Sequence, residues 1–213
     1  MRGASGRNRL PLSPEEGEEA VRLARASVSG LLAGQAPFNR GWEGAFLKET
    51  GVFVTINSAS DGPEKLRGCI GYPYPVMRLG EAITSASVSA ATEDPRFRPV
   101  STRELGSVLF EVSVLSPPAK LASAKRTDFP SKVRVGVDGL MVSRGHYSGL
   151  LLPQVATEFG MDATEFLSQA CTKAGLPPDS WLDPETEVQI FQAQIFAEAT
   201  PGGPVREVKQ RAS

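Results

Sequence analysis

Apolar side chains recur at helical spacing in four segments of the chain, and these segments are the predicted helices. The first begins with a capping box, in which Ser13 caps the N-terminus, Pro14 takes the first helical position and Glu16 follows. Gly34 is a suitable end for it. Its inward face is predicted to comprise Val21, Ala24, Val28, Leu31 and Leu32. The other helices are expected at 79–92, from 150 onward with Pro153 in the first turn, and at 162–174.

Alternation of apolar and polar residues indicates where the strands lie. Val108–Leu115 alternates most clearly, with Glu111 and Ser113 on its polar face. Residues 188–199 form the predicted last strand, again with one apolar face. Both segments are rich in the β-branched and aromatic residues that strands favour.

Turn residues between apolar runs predict two hairpins. Segments 51–57 and 65–71 flank an Asp-Gly-Pro turn, and Asp138-Gly139 separates two further runs of β-branched residues. Hairpins imply antiparallel pairing, and the helices are interspersed with the strands instead of alternating strictly with them. The predicted fold class is therefore α+β, with antiparallel sheets flanked by helices.

Length and composition suit one ordinary globular domain. Of the 213 residues, 40% are hydrophobic and 22% are charged. We expect a flexible N-terminus at 1–12, a single domain with two subdomains at 13–200, and a loose C-terminal tail at 201–213.

The net charge of −1 argues against a general nucleic-acid-binding protein. The locally basic stretch 120–134 is interpreted as a solvated loop.

The N-terminal segment lacks the apolar stretch of a secretory signal, and no apolar run approaches the roughly 18 residues of a membrane span. Two cysteines, Cys69 and Cys171, make no disulfide framework and suit a reducing compartment. The sequence thus predicts a cytoplasmic protein that does not contact membranes.

Cofactor motifs do not stand out. The one histidine, His146, and the two cysteines show no metal-ligand spacing, so no metal site is predicted. Neither a Walker loop nor a G-x-G-x-x-G stretch is present, and no cofactor is identified.

The segment KLRGCIGYPYP at 65–75 carries the candidate chemistry. On a strand, Arg67 and Cys69 share one face about 7 Å apart, and a nearby cation favours the reactive thiolate. Gly68 and Gly71 remove side chains beside the thiol and would leave space for a ligand. The alternative is that Cys69 only packs and that the glycines mark a bulge.

The LRGCIG segment and several others resemble the AMME chromosomal region candidate family of archaea, bacteria and eukaryotes. The matching pieces occur in order and span roughly residues 15–205. They are LRGCIG at 66–71, AATEDPRFRPV at 90–100, EVSVLSPP at 111–118, GLLLPQVA at 149–156, FLSQACTKAGL at 166–176, and Phe196 with Glu198.

The resemblance implies a larger α+β part that holds both termini, a smaller β-rich part, and a cleft between them. It assigns no reaction. It does associate such proteins with a radical-SAM enzyme and a Memo-like protein, often encoded beside them or joined to them. This chain lacks the C-x-x-x-C-x-x-C motif, so it is not itself a radical-SAM enzyme.

The motif positions of the family transfer to nine residues of this chain. Cys69 is the candidate catalytic residue and Glu111 the candidate general base. The candidate ligand-binding residues are Arg67, Gly68, Gly71, Asp94, Arg96, Phe97 and Glu198.

Two hypotheses follow. In the first, the protein has a ligand-binding cleft around the LRGCIG strand, with cysteine-based catalysis at Cys69 and a small anionic ligand held by Arg67 and Arg96. In the second, it is a binding or adaptor module that docks a protein partner through the same surface. Tyr72, Tyr74 and the nearby prolines would suit such a surface.

Overall fold

The computed structural model describes residues 12–36, 41–59 and 65–208. The chain divides into two compact units, one formed by residues up to Leu115 together with 194–208, and one formed by 116–193. In chain order, the α-helices and β-strands of the described residues are α1 (Pro14–Leu32), β1 (Val52–Ser58), β2 (Lys65–Tyr72), α2 (Leu79–Thr92), β3 (Val108–Leu115), β4 (Ala119–Lys120), β5 (Gly139–Arg144), β6 (Tyr147–Leu151), α3 (Pro153–Glu158), α4 (Ala163–Lys173), β7 (Glu187–Phe191), β8 (Ala193–Glu198) and β9 (Val205–Val208).

Each unit is built on one sheet. The first has five strands in the order β2-β1-β3-β8-β9, and the second has four in the order β4-β7-β5-β6. The pairs β1–β2, β1–β3 and β8–β9 are antiparallel, as are β4–β7, β5–β6 and β5–β7. Helices pack against one face of each sheet. The predicted α+β class is confirmed.

The first unit buries its apolar residues between the sheet and helices α1 and α2. Strand β1 contributes Val52, Val54 and Ile56, which are fully buried. Small side chains on α2, such as Ala82 and Ala86, let this helix approach the sheet closely, and both are fully buried. The alanine-rich sequence of α2 therefore sets how near its backbone lies to β2.

Helix α1 begins where its capping box predicts. The Ser13 hydroxyl accepts the Glu16 N–H at 3.2 Å, and the Glu16 carboxylate accepts the Ser13 N–H at 2.8 Å. Helix α4 begins with a second box of the same kind at Asp162. The inward face of α1 agrees with prediction except at Leu31, which is 40% exposed because the helix ends one residue later.

The hairpin predicted at Asp138-Gly139 is wrong. Residues 133–137 form no strand, because the Asp138 carboxylate accepts the backbone N–H of Arg134 at 2.9 Å and pairs with its guanidinium. The hairpin of this region lies one strand later, between β5 and β6, where Gly145 adopts a φ of 59°. Only glycine enters that conformation without strain.

The predicted last strand is two strands. It breaks at Gln192, so that β7 belongs to the four-stranded sheet and β8 to the five-stranded one. The expected loose tail also differs, since residues 205–208 form β9 and pair with β8. Leu12 is buried and exchanges hydrogen bonds with the Gln194 side chain. The remainder of the predicted flexible N-terminus, 1–11, lies outside the described residues, as does 209–213.

Among the helices of the described ranges, none combines the length and the apolar character needed to cross a membrane.

Candidate functional site

Three neighbouring strands place a thiol, a hydroxyl and a carboxylate in one row. Cys69 on β2 lies opposite Thr55 on β1, and Thr55 lies opposite Glu111 on β3. Since Val54 and Ile56 point into the helix-covered core, this row lies on the other face of the sheet. The Thr55 hydroxyl donates to the Cys69 sulfur at 3.4 Å. Glu111 lies two strand spacings from Cys69, about 10 Å.

Both glycines of the motif are required by close approach. A Cβ on Gly68 would lie 2.1 Å from the carbonyl oxygen of Ala90, so this glycine lets the end of α2 rest on β2. A Cβ on Gly71 would lie 2.4 Å from the ring of Phe53. The space beside the thiol that the sequence predicted for a ligand is therefore filled by the protein's own atoms at these two positions.

The outer edge of β2 is covered at Cys69 by two side chains from the loop after α2. The Asp94 carboxylate accepts the Cys69 N–H at 2.8 Å, and the Arg96 guanidinium donates to the Cys69 carbonyl at 3.3 Å. Arg96 also pairs with Asp94 at 2.9 and 2.7 Å. Together they satisfy the two backbone groups that a neighbouring strand would otherwise bind. We call this pair the edge clamp.

Asp94 is buried although it is charged, and its partners explain why. The Arg96 guanidinium, followed by the backbone N–H groups of Cys69 and Arg96, holds the pKa of this carboxyl far below its usual range. The edge clamp thus carries an ionised carboxylate throughout the neutral pH range.

Arg67 does not turn toward the thiol. The β1–β2 register shifts between Ile56 and Asn57, and this irregularity leaves Arg67 opposite no residue of β1. Bulges of this kind redirect a side chain. The Arg67 guanidinium instead pairs with Glu104 at 3.0 Å.

Glu104 is the site residue that sequence reasoning missed. It accepts from Arg67, and one of its oxygens also accepts the backbone N–H and the hydroxyl of Ser101, both at 2.9 Å. The Arg67 partnership lowers the pKa of Glu104. The spacing of Ser101 and Glu104, typical of a capping box, was the available local signal, but the contact with Arg67 spans 37 residues.

Phe97 lies beneath two guanidinium groups. Its ring centroid is 6.0 Å from the Arg67 Cζ and 5.4 Å from the Arg96 Cζ. Phe97 therefore contacts both cations of the motif, within the usual distance of a cation–π contact.

The thiol of Cys69 is not activated. It is half-buried, and burial raises its pKa above the ordinary value, although the Thr55 hydrogen bond and the Arg96 charge act in the other direction. The carboxylates of Glu111 and Asp94 raise it further. The nucleophile hypothesis requires a lowered pKa, but burial is the largest influence on this thiol and Arg67 pairs with Glu104. Near pH 7 Cys69 is a neutral thiol.

Glu198 lies apart from this site. It is on the helix-covered face of the sheet, where both carboxylate oxygens accept from Arg25 and one also accepts the Phe110 N–H at 3.0 Å. Arg25 reaches the carbonyls of Leu105 and Val108 as well. The structure gives Glu198 the role of an internal ion-pair partner and does not bring it together with Cys69.

Several basic side chains of the stretch 120–134 bond to other groups of the second unit. Arg126 donates to three backbone carbonyls, Arg134 pairs with Asp138, and Lys120 pairs with Glu187. Cys171 is fully buried on α4. His146 is exposed in the turn between β5 and β6.

Within residues 12–36, 41–59 and 65–208, no three His, Cys, Asp or Glu side chains come together as a metal site would require.

Comparisons with known proteins agree over nearly the whole chain. The model of the AMMECR1 family matches residues 21–196. A protein of Methanothermobacter thermautotrophicus is 52% identical over 190 residues, which is 88% of this chain and 97% of that protein. Protein MJ0810 of Methanocaldococcus jannaschii is 45% identical and covers 93% of this chain and 98% of its own length.

A solved structure gives the same result for the fold. The crystal structure of the uncharacterized protein PH0010 from Pyrococcus horikoshii superposes with a TM-score of 0.85 at 44% identity, covering 94% of this chain and 99% of that one.

Proposed function

Because this chain belongs to the AMMECR1 family, we propose that its LRGCIG strand serves as a binding site, in which a small polar ligand rests on the row formed by Cys69, Thr55 and Glu111. The observation that carries this proposal is the row itself: a thiol, a hydroxyl and a carboxylate side by side on three strands. Sites that orient small molecules combine a few such polar groups with a rigid frame.

The edge clamp supplies the rigidity. Asp94 and Arg96 hold the backbone of Cys69 on one side, and β1 pairs with it on the other. The position of the sulfur is therefore fixed before any ligand arrives, which lowers the entropic cost of binding.

Charge around the row suggests the class of ligand. Glu111 favours a hydrogen-bond donor or a cation at one end. The Arg96 side chain, which is about half exposed, favours an anionic group at the other. A small molecule with both, such as an amino acid or a similar zwitterion, fits this arrangement, and the anionic part of it agrees with the ligand expected from the sequence.

The proposed role of Cys69 is binding and not nucleophilic attack. A neutral thiol hydrogen-bonded to Thr55 is a weak donor and acceptor that contacts a ligand without forming a covalent bond. Cysteine-based catalysis would require a group that removes the thiol proton, and the partner that the thiol has is the Thr55 hydroxyl, which is not a base.

A second candidate function is docking of a protein partner, and exposed apolar side chains favour it. Tyr74 is 43% exposed and Val76 66%, both just after β2. Tyr72 suits a partner surface less well, because its hydroxyl forms a hydrogen bond with the Ser85 hydroxyl at 2.7 Å. The radical-SAM enzyme and the Memo-like protein associated with the family are the proposed partners, in the cytoplasm. The cleft and the domain limits expected from the sequence stay predictions.

A thermal-shift screen of amino acids and small carboxylates tests the first function. A true ligand should raise the melting temperature of the wild type, and Glu111→Gln and Thr55→Val should each reduce that shift. Glu81→Gln, an exposed glutamate on α2, is the matched control and should keep it. A compound that stabilises all four proteins equally binds elsewhere and would overturn the proposed site.

Co-purification tests the second function. Each proposed partner is mixed with wild type, with Val76→Asp, and with Phe159→Asp as a control that changes an exposed apolar residue of the other unit. Loss of binding in Val76→Asp alone would support docking through this surface, whereas equal recovery of all three proteins would exclude it.

A further inference from the structure

Strand β2 forms one edge of the five-stranded sheet, and part of that edge is open. The N–H and C=O of Cys69 point outward at this edge, since Asp94 and Arg96 bind them. Main-chain groups two residues apart in a strand point the same way, and the pairing of β2 with β1 is regular from 68 to 72. The N–H and C=O of Gly71 therefore point outward as well.

The chain that follows β2 turns away from this edge. A Cβ on Gly51 would lie 2.4 Å from the Pro73 carbonyl oxygen, so the chain passes beside the start of β1. Arg78 then forms a bridge with Glu49. Gly71 is partly exposed, and within the described parts of the chain neither its N–H nor its C=O has a hydrogen-bond partner. These two groups can pair with one residue of an added strand.

The edge clamp and Pro73 restrict what can pair there. On one side the main-chain groups of Cys69 are already bound by the clamp, and on the other side Pro73 has no N–H. An added chain can therefore exchange both main-chain hydrogen bonds with Gly71 only. If it pairs in the antiparallel direction, it runs toward Cys69 and stops at the clamp, so the residue opposite Gly71 is its last.

Arg96 presents hydrogen-bond donors where such a chain would end. Its Nε and Nη2 atoms bind the Asp94 carboxylate, and Nη2 also donates to the Cys69 carbonyl. Among the described residues Nη1 has no acceptor. The Arg96 side chain is 53% exposed whereas Asp94 is buried, so the clamp turns its guanidinium to the solvent. The two N–H groups of Nη1 remain available for a carboxylate.

We propose that the open edge at Gly71 captures the C-terminal residue of a partner peptide. The terminal carboxylate would accept from the Gly71 N–H and from Nη1 of Arg96, while the amide N–H of the same residue would donate to the Gly71 carbonyl. An antiparallel pair exchanges the same two hydrogen bonds, and here a carboxylate replaces the next peptide group. Preceding residues of the peptide would pass the exposed side chains of Tyr74 and Val76.

This peptide site is separate from the ligand site proposed on the Cys69 row. Both use Arg96, but Thr55 and Glu111 lie on the face of the sheet and not at its edge. The peptide should therefore bind Glu111→Gln as it binds wild type, whereas a ligand of the row should bind that variant more weakly. Either proposal can fail without the other.

Acetyl-Ala-Ala-Leu with a free C-terminal carboxylate and the same peptide as its C-terminal amide form the probe pair. Leucine suits the last position, because the side chain opposite Gly71 lies on the face of the sheet that carries Phe53. The amide keeps the shape of the carboxylate and lacks its charge, so it should bind about tenfold more weakly.

Hydrogen exchange followed by NMR on the unmodified chain reports on the site directly. Without peptide, the Gly71 N–H should exchange faster than the Ile70 N–H, which faces β1. The carboxylate peptide at saturation should slow the exchange of Gly71 about tenfold or more, because the N–H then has an acceptor. The exchange of Ile70 should change little.

Substitution of Arg96 tests the contact with the carboxylate. In Arg96→Lys the ammonium group can still pair with Asp94 but lacks the second set of donors, so the affinity for the carboxylate peptide should fall about tenfold. Arg98→Lys is the matched control, because Arg98 is exposed on the same loop and has no ion pair within the described residues. Circular dichroism verifies that both variants fold, and the exchange experiment on wild type does not depend on them.

Several outcomes would overturn the proposal. Equally slow exchange of Gly71 and Ile70 without peptide would show that the edge is closed. Equal protection by the carboxylate and the amide would show that no carboxylate is recognised, and equal weakening by both lysine variants would remove Arg96 from the site. If free leucine protects Gly71 as well as the peptide does, the site takes amino acids and peptide docking is wrong.

Discussion

The carboxylate of Asp94 accepts the backbone N–H of Cys69 at 2.8 Å, across 25 residues of sequence. This one bond joins the LRGCIG strand to the Asp-Pro-Arg-Phe loop, the two most characteristic segments of the sequence. It explains why a buried carboxylate follows α2, and it shows that Asp94 acts on Cys69 through its backbone.

Replacing Asp94 with alanine should destabilise the first unit. The change leaves the Cys69 N–H without its acceptor and Arg96 without its carboxylate, and we expect a loss of about 2 kcal/mol in the free energy of unfolding. Urea unfolding followed by circular dichroism measures it. Arg98→Ala, at an exposed position of the same loop, should change stability by less than about 0.5 kcal/mol.

The free energy of unfolding should decrease at acidic pH, in part because protonation of Asp94 weakens the edge clamp. The folded pKa of Asp94 is depressed, mainly by Arg96, so its contribution is fully present above the unfolded pKa of about 3.9 and is lost as the pH falls below it. The difference in unfolding free energy between wild type and Asp94→Asn should be constant near neutral pH and shrink below about pH 4. A difference that persists unchanged at pH 3 would contradict the ionised, paired Asp94.

Substitution of Gly68 tests the contact between α2 and β2. In Gly68→Ala the new methyl group would collide with the Ala90 carbonyl, a backbone atom that cannot rotate away, and we expect a loss of about 2 kcal/mol or more. Gly106→Ala is the matched control, because open space surrounds that position. If both variants unfold at the same urea concentration, the close approach is not as tight as described.

Alkylation of Cys69 should be slow at neutral pH. With Cys171→Ser as background, the midpoint of the rate-versus-pH curve should lie above about 8.5, the value of a free cysteine. Thr55→Val should move it higher still, because the Thr55 hydroxyl favours the thiolate. Iodoacetamide labelling followed by mass spectrometry gives the curve. A midpoint below 7 would restore the nucleophile hypothesis.

Glu198 should matter for stability alone. Glu198→Ala leaves Arg25 in a largely buried position without its carboxylate, and we expect a loss of about 4 kcal/mol. At a urea concentration where the variant is still folded, the alkylation rate of Cys69 should equal that of wild type. A changed rate would indicate that the two faces of the sheet are coupled.

Local signals in the sequence predicted local structure well. The capping box of α1 lies within four residues and occurs as expected, and α4 begins with a second box of the same length. The hairpin of β1 and β2 was also predictable, since alternation and turn residues specify it over about twenty positions. The hairpin predicted at Asp138-Gly139 was wrong because the Asp138 carboxylate accepts the backbone N–H of Arg134. The dipeptide signal takes no account of such side-chain hydrogen bonds.

Sequence reasoning named most residues of the candidate site but not their arrangement. Strand alternation placed Arg67 and Cys69 on one face, but the irregularity beside Arg67 redirects its side chain to Glu104. Long-range pairs such as this one leave no periodic trace in a single sequence. Family resemblance singled out Glu198 as a ligand-binding candidate, whereas the structure pairs it with Arg25, which lies 173 residues earlier.

The strand order of the first unit also has a consequence for the timing of folding. Strand β8 lies between β3 and β9 in the five-stranded sheet, and the Glu198 that it carries completes the ion pair with Arg25 of the first helix. During synthesis, β1, β2 and β3 therefore leave the ribosome before the residues near 200 that complete their sheet. The second unit is continuous from 116 to 193 and is synthesised within that interval. Such late closure predicts slow folding and a period in which the edge of β3 is exposed to chaperones.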